Sequence, residues 1–340
     1  MTKHFLILLK VKKIMIKNKN LFFIILTFFI ATSFKSIYSN YIYVSNENSD
    51  TITILDKKNK KIIKSINTGG RPRDMKFSKD KTKLYIVVSE ENHIAILDLN
   101  KLEIIGYIET GNDPEIFDIS PNGEILAVSN EDDNELTIID LNTKKILKSI
   151  QNVGIEPEGV NFSPDGKQVF VTSEGTNSVI VVDPWKQEII NEVLVGNRPR
   201  RGIFVNDGTE YWVSNELNGS VTIINTSNLN IIKTIYFSVK GIKDQDITPV
   251  DFAYSKNLNK VFVTLGSANH VAVVNSKTYA IENNILVGSR VWGAALTKDD
   301  KELIVTNGNS DDISIIDIKK LVAVLSVPVG KTPHTVRVLK

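Results

Sequence analysis

Charged and aromatic residues cluster beside seven regularly spaced turns of this sequence, six of which carry a proline. The residue that follows each turn position differs in type from turn to turn, whereas interchangeable repeats would carry the same type. In chain order these residues are Arg73, Glu115, Glu158, Arg200, Val250, Trp292 and His334. Further charges adjoin the same turns, namely Arg71, Asp74, Asp113, Glu156, Arg198, Arg201, Asp251 and Arg290.

The arginines of this set have the chemistry to bind a carboxylate or phosphate group. A guanidinium is a planar fork of N–H donors that holds such anions in a bidentate manner. Trp292 adds an aromatic face for stacking, so a planar polycarboxylate would suit the combination. The alternative is that the arginines pair with the neighbouring acids and hold the repeats in register, because ion pairs at a wet rim stabilise a fold only a little.

A second set of acids lies in polar loops between apolar runs. These are Glu47, Glu90, Glu91, Glu131, Asp132, Asp133, Glu174 and Glu216. A Ca²⁺ site needs six to eight oxygens at about 2.3–2.6 Å, and the sequence has no Asp-x-Asp-x-Asp-Gly loop. We therefore expect no metal. The set is expected to be solvated loop charge, with Glu47, Glu90, Glu131, Glu174 and Glu216 available to a basic partner.

No catalytic arrangement is evident. Outside the first 39 residues the histidines are His93, His270 and His334, each in a different repeat. His93 and His270 are expected to be hydrogen-bonded scaffold residues, so only His334 is a candidate acid or base, and it lacks a partner. The sequence has no Gly-x-Ser-x-Gly, His-Glu-x-x-His or phosphate-cradling glycine loop. We expect no catalytic residue.

The elements that position these residues recur with a period of about 42 residues. Apolar runs ending in Asp or Asn fall at positions 56, 98, 140, 183, 225, 275 and 317, and the turn positions fall at 72, 114, 157, 199, 249, 291 and 333. Both series contain one eight-residue insertion, near residues 240–247. Two independent series with the same period and the same insertion predict seven structural repeats.

Each repeat contains about four short runs in which apolar residues alternate, the period of a half-buried strand. In the second repeat the runs are about Arg73–Ser78, Lys83–Val88, His93–Asp98 and Leu102–Ile108. Radial repetition of four-stranded sheets is the propeller architecture. The sequence around Tyr43 begins at a second-strand position and the sequence after Pro333 ends after a first-strand position. We predict an all-β, closed seven-bladed β-propeller over residues 40–340, with the C-terminal strand completing the N-terminal blade.

Antiparallel order within a blade separates the loops onto two faces. The Gly-x-x-Pro turns and the polar loops after the second strands emerge on one face, at the mouth of the central channel. Tight turns such as Pro164-Asp165-Gly166 emerge on the other, where turn formation accounts for their residues. We therefore expect function on the first face, since binding residues tend to lie on loops held by a rigid scaffold.

Residues 1–39 are predicted to be a signal peptide, with Met15 as an alternative start. Residues 21–34 are apolar and follow Lys17 and Lys19, and this run is shorter than the roughly 20 residues of a membrane-spanning helix. An uncleaved anchor is the alternative. The segment holds seven of the 41 basic residues and no acid, which leaves 34 basic and 39 acidic residues, a net charge of −5. Such a body has no general attraction for nucleic acid, and the absence of cysteine excludes disulfides and thiolate metal sites.

The repeats resemble the YVTN β-propeller repeat, whose signature stands here as Tyr43-Val44-Ser45-Asn46, Val128-Ser129-Asn130 and Trp212-Val213-Ser214-Asn215. The order of Arg71-Pro-Arg73, Asp113-Pro-Glu115, Glu156-Pro-Glu158-Gly159, Arg198-Pro-Arg200, Leu265–Val274 and Arg290-Val-Trp292 is similar to the β-propellers associated with PQQ-dependent alcohol catabolism. One departure is Asp251, where several members of that family have glycine. The resemblance implies an exported accessory or binding protein without a settled activity.

On this basis we expect a periplasmic or secreted, monomeric, non-catalytic binding propeller. The resemblance implies PQQ as a ligand and a quinoprotein dehydrogenase or transport component as a partner, with no nucleic acid and no membrane contact after signal cleavage. The ligand-binding residues are expected to be Arg71, Arg73, Asp74, Glu115, Glu158, Arg198, Arg200, Arg201, Asp251, Arg290, Trp292 and His334. The alternatives are a propeller enzyme, either a metal-dependent lactonase-type hydrolase or a heme-d1-like redox protein, and an adhesion or scaffold protein.

Overall fold

A computed structural model describes residues 40–339 of the 340-residue chain. The predicted signal segment, residues 1–39, lies outside the described residues. The described residues form seven sheets of four antiparallel strands each. Among them, no helix is long and apolar enough to cross a membrane.

Each blade is built from a first strand at the channel, a second and a third strand, and an outer fourth strand. The first strands are β4 (Pro72–Phe77), β8 (Pro114–Ile119), β12 (Pro157–Phe162), β16 (Pro199–Val205), β20 (Phe252–Ser255), β24 (Val291–Leu296) and β28 (Pro333–Val338). The second strands are β1 (Tyr41–Asn46), β5 (Lys83–Val88), β9 (Ile125–Asn130), β13 (Val169–Ser173), β17 (Glu210–Asn215), β21 (Lys260–Thr264) and β25 (Glu302–Asn307).

The third and fourth strands complete the blades. The third strands are β2 (Thr51–Asp56), β6 (His93–Asp98), β10 (Glu135–Asp140), β14 (Ser178–Asp183), β18 (Ser220–Asn225), β22 (His270–Asn275) and β26 (Asp312–Asp317). The outer strands are β3 (Ile62–Asn67), β7 (Glu103–Glu109), β11 (Lys145–Gln151), β15 (Glu188–Leu194), β19 (Ile231–Tyr236), β23 (Ile281–Leu286) and β27 (Val322–Pro328).

The ring is closed by a strand from the far end of the sequence. Strand β28 pairs antiparallel with β1, so the first blade has the order β28-β1-β2-β3. The first strands of neighbouring blades contact one another all the way round, including β28 with both β4 and β24. The predicted closed seven-bladed propeller is confirmed, and pairing of β28 removes the edge that β1 would otherwise expose.

The core lies between neighbouring blades. One apolar cluster joins Ile138 and Val171 of adjacent blades, and another joins Trp212 with Val263. The second and third strands supply most buried residues, whereas the outer strands are largely exposed. Because a single blade buries little of its own surface, the energy of apolar burial comes from stacking blades on one another.

Side chains explain why the repeat ends in Asp or Asn. Asp140 Oδ1 accepts hydrogen bonds from the backbone N–H groups of Asn142 and Thr143, at 2.9 and 2.7 Å. Asp56 makes the corresponding bonds to residues 58 and 59. These Asx turns lead each third strand into the outer strand, which is a role that only a short side chain with an acceptor oxygen can fill.

The Asn of the YVTN-like signature connects the second strand of a blade to the Gly-x-x-Pro turn before its first strand. Asn215 Oδ1 accepts a hydrogen bond from the Gly196 N–H at 3.1 Å, and Asn215 Nδ2 donates to Thr222 Oγ1 at 2.9 Å. A Cβ at Gly196 would lie 2.5 Å from the Asn215 side chain. The Gly-x-x-Pro turn therefore needs glycine because the Asn of the second strand packs directly against it.

Hydroxyl groups of the second strands, which we call the hydroxyl ring, join five of the seven blades to the next, whereas Thr264 of the sixth blade donates within its own blade to the Asp251 carbonyl. Thr172 Oγ1 accepts the Gly159 N–H at 2.7 Å within its own blade and donates to the Arg200 carbonyl of the next blade at 2.6 Å. The same donation from the second strand is made by Ser45, Ser129, Ser214 and Thr306 to the carbonyls of Arg73, Glu158, Val250 and His334. The second blade has Val87 at this position. These bonds tie the backbone at the channel to the neighbouring blade.

Candidate functional site at the channel mouth

The turns before the first strands direct their charged side chains to one face. The residue before the turn position has a left-handed backbone, with φ of 59° at Arg71, 54° at Arg198 and 57° at Arg290. Residues other than glycine adopt this conformation uncommonly. The turn is thus sharp enough that the side chains before and after the turn position contact one another. We call the resulting network of charged side chains the channel mouth.

One part of the channel mouth, the acidic sector, consists of Arg71 and Arg73 with Glu47, Asp113, Glu115 and Glu131. Arg71 donates to Glu47 Oε1 at 3.2 Å, Asp113 Oδ1 at 2.9 Å and Glu115 Oε1 at 3.2 Å. Arg73 Nη1 donates to the same Glu115 oxygen at 2.6 Å. Two arginines therefore face four carboxylates in this sector.

A second part, the arginine sector, consists of Arg198, Arg200 and Arg290 with Glu158, Glu174 and Glu216. Arg198 Nε donates to Glu174 Oε2 at 2.6 Å, and Arg290 Nη2 donates to Glu216 Oε1 at 2.9 Å. Arg200 Nη1 hydrogen-bonds Glu174, and its Nη2 lies 3.1 Å from Glu158 Oε1. Cations and carboxylates are equal in number here, so this sector is balanced.

His334 lies deeper in the channel, between two guanidinium groups. Its Nε2 is 3.4 Å from Arg73 Nη2, and its Nδ1 is 3.5 Å from Arg201 Nη2 and 3.1 Å from Thr335 Oγ1. The ring of Trp292 packs edge-on against it, with centroids 4.8 Å apart. Burial and the charges of Arg73 and Arg201 lower the pKa of His334 well below its ordinary value, so its neutral form is favoured.

Burial and the nearby arginines shift the pKa values of the carboxyl groups in the mouth. It raises the pKa of Glu115 well above the ordinary range despite Arg73, and the Glu158 charge adds to the rise. For Glu158 burial acts in the same direction, but Arg200 and Arg73 hold its pKa below the ordinary value. Burial raises the pKa of Glu174 to about 7, although Arg200 and Arg198 oppose the rise. Burial and the neighbouring arginines therefore shift the pKa values of these buried carboxyl groups in opposite directions.

The structure gathers most of the predicted ligand-binding residues at or below the mouth, but it changes what they do. The arginines are largely paired with acids, some from the same set and others, such as Glu174 and Glu216, from the predicted partner-facing loops. Asp74 is directed away to Arg337, which donates to Asp74 Oδ1 at 2.5 Å. Arg201 donates to Asp251 Oδ2 at 3.1 Å. These two pairs lie below the rim and connect first strands of different blades.

The predicted partner-facing acids separate into two groups. Glu174 and Glu216 are buried among the arginines, each 4% exposed, so no partner surface can reach them freely. Glu47 and Glu131 are half-buried at the mouth, and only Glu90 is exposed to solvent. Two further details differ from expectation. The sixth first strand begins at Phe252, after Val250 and Asp251. Among the described residues His93 Nε2 has no hydrogen-bond partner and lies 3.7 Å from Glu91 Oε2.

Some contributors to the mouth carry no signal in the sequence. Ser267 Oγ accepts a hydrogen bond from Arg290 Nη1 at 2.6 Å, and Thr335 Oγ1 accepts one from Arg201 Nη2 at 3.3 Å. Both are small hydroxyl residues that occur throughout the repeats. What distinguishes these two from the other hydroxyl residues is a contact with an arginine of another blade, which the sequence does not show. For Thr335 the sole indication in the sequence is its position beside His334.

The opposite face carries a cleft of a different character. A cleft of ≈ 640 Å³ is lined by Lys57, Lys58, Lys298 and Lys301 together with Thr297, Asp299 and Glu302. It lies among the tight turns and the turns before the outer strands. This cleft is of a size that could hold a small molecule, but its lysines lie in turns and are mostly exposed, and none of the buried or unpaired polar groups of the mouth lies there.

Solved structures of very different proteins share this fold. Similar chains are hydrazine synthase of Kuenenia stuttgartiensis (18% identity, TM-score 0.74, 82% of this chain and 92% of that chain) and the periplasmic gluconolactonase PpgL of Pseudomonas aeruginosa (17%, 0.73, 87% and 98%). The dihydro-heme d1 dehydrogenase NirN is also similar (14%, 0.67, 90% and 77%). At these identities the likeness concerns the fold alone.

No curated protein matches the sequence. A family model described as YNCE-like beta-propeller matches residues 29–163, which agrees with the resemblance to β-propeller repeats, whereas the finer likeness to PQQ-associated propellers stays a prediction. A second model, described as Cytochrome D1 heme domain, matches residues 121–340. Because that match spans more than half of the chain, the protein belongs to the family of the cytochrome D1 heme domain.

Proposed function

We propose that this protein is a non-catalytic binding propeller that holds a small carboxylate ligand on the arginine sector of its channel mouth. The observation that carries the proposal is the state of Arg198. Its side chain is 46% exposed and is fixed through Nε to Glu174. The described hydrogen bonds leave its two terminal amino groups unused, so they form an oriented fork at the surface.

Neighbouring donors support a ligand rich in acceptor atoms. Trp292 Nε1 and Arg200 Nε are buried and have no hydrogen-bond partner among the described residues. A buried donor without a partner costs about 1–3 kcal/mol, and a carboxylate in the sector would relieve that cost. The Arg290 guanidinium lies over the Trp292 ring at 5.6 Å, so any stacking ligand would use the free side of the indole.

PQQ is the specific ligand that we propose, on the strength of the resemblance described above. Titration calorimetry of residues 40–340 should detect PQQ binding, and Arg198→Ala should weaken it at least tenfold because one charge-assisted fork is lost. Arg198 is the right residue to change because its exposure spares the fold. Lys298→Ala, on the opposite face, is the matched control and should bind like the parent protein.

Three results would decide the matter. Absence of heat and of tryptophan fluorescence change at high micromolar PQQ would refute PQQ as the ligand. Binding of citrate, but not of PQQ, with the same loss in Arg198→Ala would keep the carboxylate site and replace the ligand. Equal affinity in parent and Arg198→Ala would refute the arginine sector as the site.

Heme is the cofactor that the family name implies, and the residues of the channel do not fit an iron ligand. A heme iron is held by an accessible axial side chain such as His, Cys, Met or Tyr, and His334 is the candidate for this role at the mouth. His334 is 2% exposed, and both of its ring nitrogens face guanidinium groups at 3.4 and 3.5 Å. Positive charge on both sides would also oppose a metal cation. We therefore propose no heme chemistry for this chain.

A hydrolase is the second candidate function. One similar structure is a gluconolactonase, and Asp113, Glu115 and Glu131 bring carboxylate oxygens within 4.8 Å of one another, as a metal-dependent hydrolase would require. The test is hydrolysis of gluconolactone by the protein with added Ca²⁺. A rate equal to the spontaneous rate would exclude this candidate.

We also propose that the protein is exported and monomeric, and that it serves a quinoprotein dehydrogenase or a transport component in the periplasm. The apolar run after Lys17 and Lys19 supports export. N-terminal sequencing of the protein recovered from the periplasm should give a mature chain that begins at Asn40. A chain that retains residues 1–39 would support the anchored alternative, and a pull-down from a periplasmic extract would separate a dehydrogenase partner from an adhesion or scaffold role.

A further inference from the structure

The acidic sector has a surplus of negative charge that the described residues do not neutralise. Its two arginines, Arg71 and Arg73, pair with Glu47, Asp113 and Glu115, and Glu131 has no ion pair among the described residues. The next carboxylate, Glu158, is paired with Arg200 and brings no spare cation. Buried like charges repel strongly in a medium of low dielectric constant, so this sector needs a further positive charge.

Three of these carboxylates converge. Asp113 precedes β8, Glu115 is in β8, and Glu131 follows β9, the strand that pairs with β8. One carboxylate oxygen from each lies within 4.8 Å of the others. Oxygens that bind one Ca²⁺ at about 2.3–2.6 Å can be no more than about 5 Å apart, so a single cation could touch all three.

An independent feature of Glu115 points to the missing cation. Its side chain is completely buried. Oε1 accepts from Arg71 and Arg73, whereas Oε2 has no hydrogen-bond partner among the described residues. The carboxyl group of Glu131 is within hydrogen-bonding reach of Glu115, and the Glu131 side chain accepts no described hydrogen bond. A buried carboxylate oxygen that faces another acid, with no donor, is costly unless something binds it.

We propose that Asp113, Glu115 and Glu131 form a divalent cation site in the channel mouth, suited to Ca²⁺. Carboxylate oxygens are hard ligands, which Ca²⁺ prefers, and the described site has no histidine to favour zinc. Water would complete the coordination, since one converging oxygen from each of the three side chains supplies three of the six to eight that Ca²⁺ takes. A site of this kind is weak, with an expected Kd of about 10⁻⁴–10⁻³ M.

The proposal reverses the expectation from sequence that the acids form no metal site. That expectation rested on the absence of a continuous calcium-binding loop. Here the ligands come from two connections of one blade, which pairing of β8 with β9 brings together. The cation site does not depend on Arg198 or on a carboxylate ligand, so an experiment can refute it without refuting the proposed function.

The test is thermal unfolding of residues 40–340 after chelator treatment, with and without 10 mM CaCl₂. Binding should raise the Tm of the parent protein by roughly 2–6 °C at that concentration. Glu131→Gln should lose the shift, because it removes a ligand charge at a half-buried position without opening a cavity. Asp132→Asn is the matched control, since it removes the same charge from the adjacent exposed residue and should keep the shift.

Each alternative outcome overturns the proposal. No effect of Ca²⁺ on the parent protein, together with a higher Tm for Glu131→Gln, would mean that protons and not a cation neutralise the sector. An equal loss in Glu131→Gln and Asp132→Asn would mean diffuse attraction of cations to the acidic loops. If Glu131→Gln does not fold, titration calorimetry of Asp113→Asn with Ca²⁺ gives the same decision, and unchanged binding would refute the site.

Discussion

Replacement of Thr172 by valine should show how much the hydroxyl ring contributes to holding the blades together. Thr172 is completely buried, and its hydroxyl serves the Gly159 N–H and the Arg200 carbonyl. Valine has nearly the same shape, so packing is kept while both backbone groups lose their partner. An unsatisfied buried polar group costs about 1–3 kcal/mol, and the pair should therefore lower the free energy of unfolding by about 2–4 kcal/mol.

Thr172→Ser separates the hydroxyl from the methyl group. Serine keeps both hydrogen bonds and removes one methyl, which should cost only about 1 kcal/mol. An exposed threonine, Thr278, provides a second control, since Thr278→Val should change stability by less than about 0.5 kcal/mol.

Urea unfolding followed by circular dichroism measures these differences through the midpoint, provided that the slope is unchanged. If Thr172→Val were no less stable than Thr172→Ser, the hydroxyl would be dispensable. The interpretation of the signature Ser and Thr as a bridge between blades would then be wrong.

Three further predictions concern the ring. Burial alone would raise the pKa of Asp74, but Arg337 holds it below the ordinary value. The pair therefore contributes stability above a pH of about 4, and this stability is lost as pH falls through the lowered pKa. Asp74→Asn should cost about 3–5 kcal/mol at pH 7 and flatten the acid side of a plot of stability against pH, and an unchanged acid side would contradict the assignment. Gly202→Ala should cost about 1–3 kcal/mol by thermal unfolding, because the new Cβ would lie 2.1 Å from the buried Tyr211 hydroxyl of the same blade, and a neutral effect would mean that the Tyr211 side chain moves aside easily. Removal of β28 should give an aggregating chain on size-exclusion chromatography, whereas a monomer with native circular dichroism would show that closure is not needed.

Sequence periodicity was sufficient to predict the architecture because propeller repeats are local. Each turn proline and each terminal Asp or Asn acts within its own blade, so two spacings determined the number of blades and the closing strand. Val291 shows the strength of the pattern, since β24 begins there although the proline is missing. The insertion after the fifth outer strand adds a short 3-10 helix over Asp244–Asp246 and moves the start of β20 to Phe252.

The chemistry of the mouth was less predictable because it depends on contacts between blades. Sequence placed Arg198 and Glu174 on the same face but could not tell that they would bond, since they belong to different blades. The same limit applies to Glu216, which was expected at the surface and is buried against Arg290. Whether an acid of the mouth has a cation beside it depends on the charged side chains that several blades contribute. Only the three-dimensional structure shows which of these side chains meet.

The closure of the ring by β28 also governs the order in which the chain can assemble. Ser45 in β1 lies 290 residues from its hydrogen-bond partner Thr335 in β28. Joining such distant segments in a free chain costs about 5 kcal/mol of loop-closure entropy plus a constant. The cost falls when the six intervening blades have formed, because they already bring β1 and β28 together. Until then the edge of β1 is open to β28 of another copy, and strand-exchanged oligomers are the expected product of folding at high concentration.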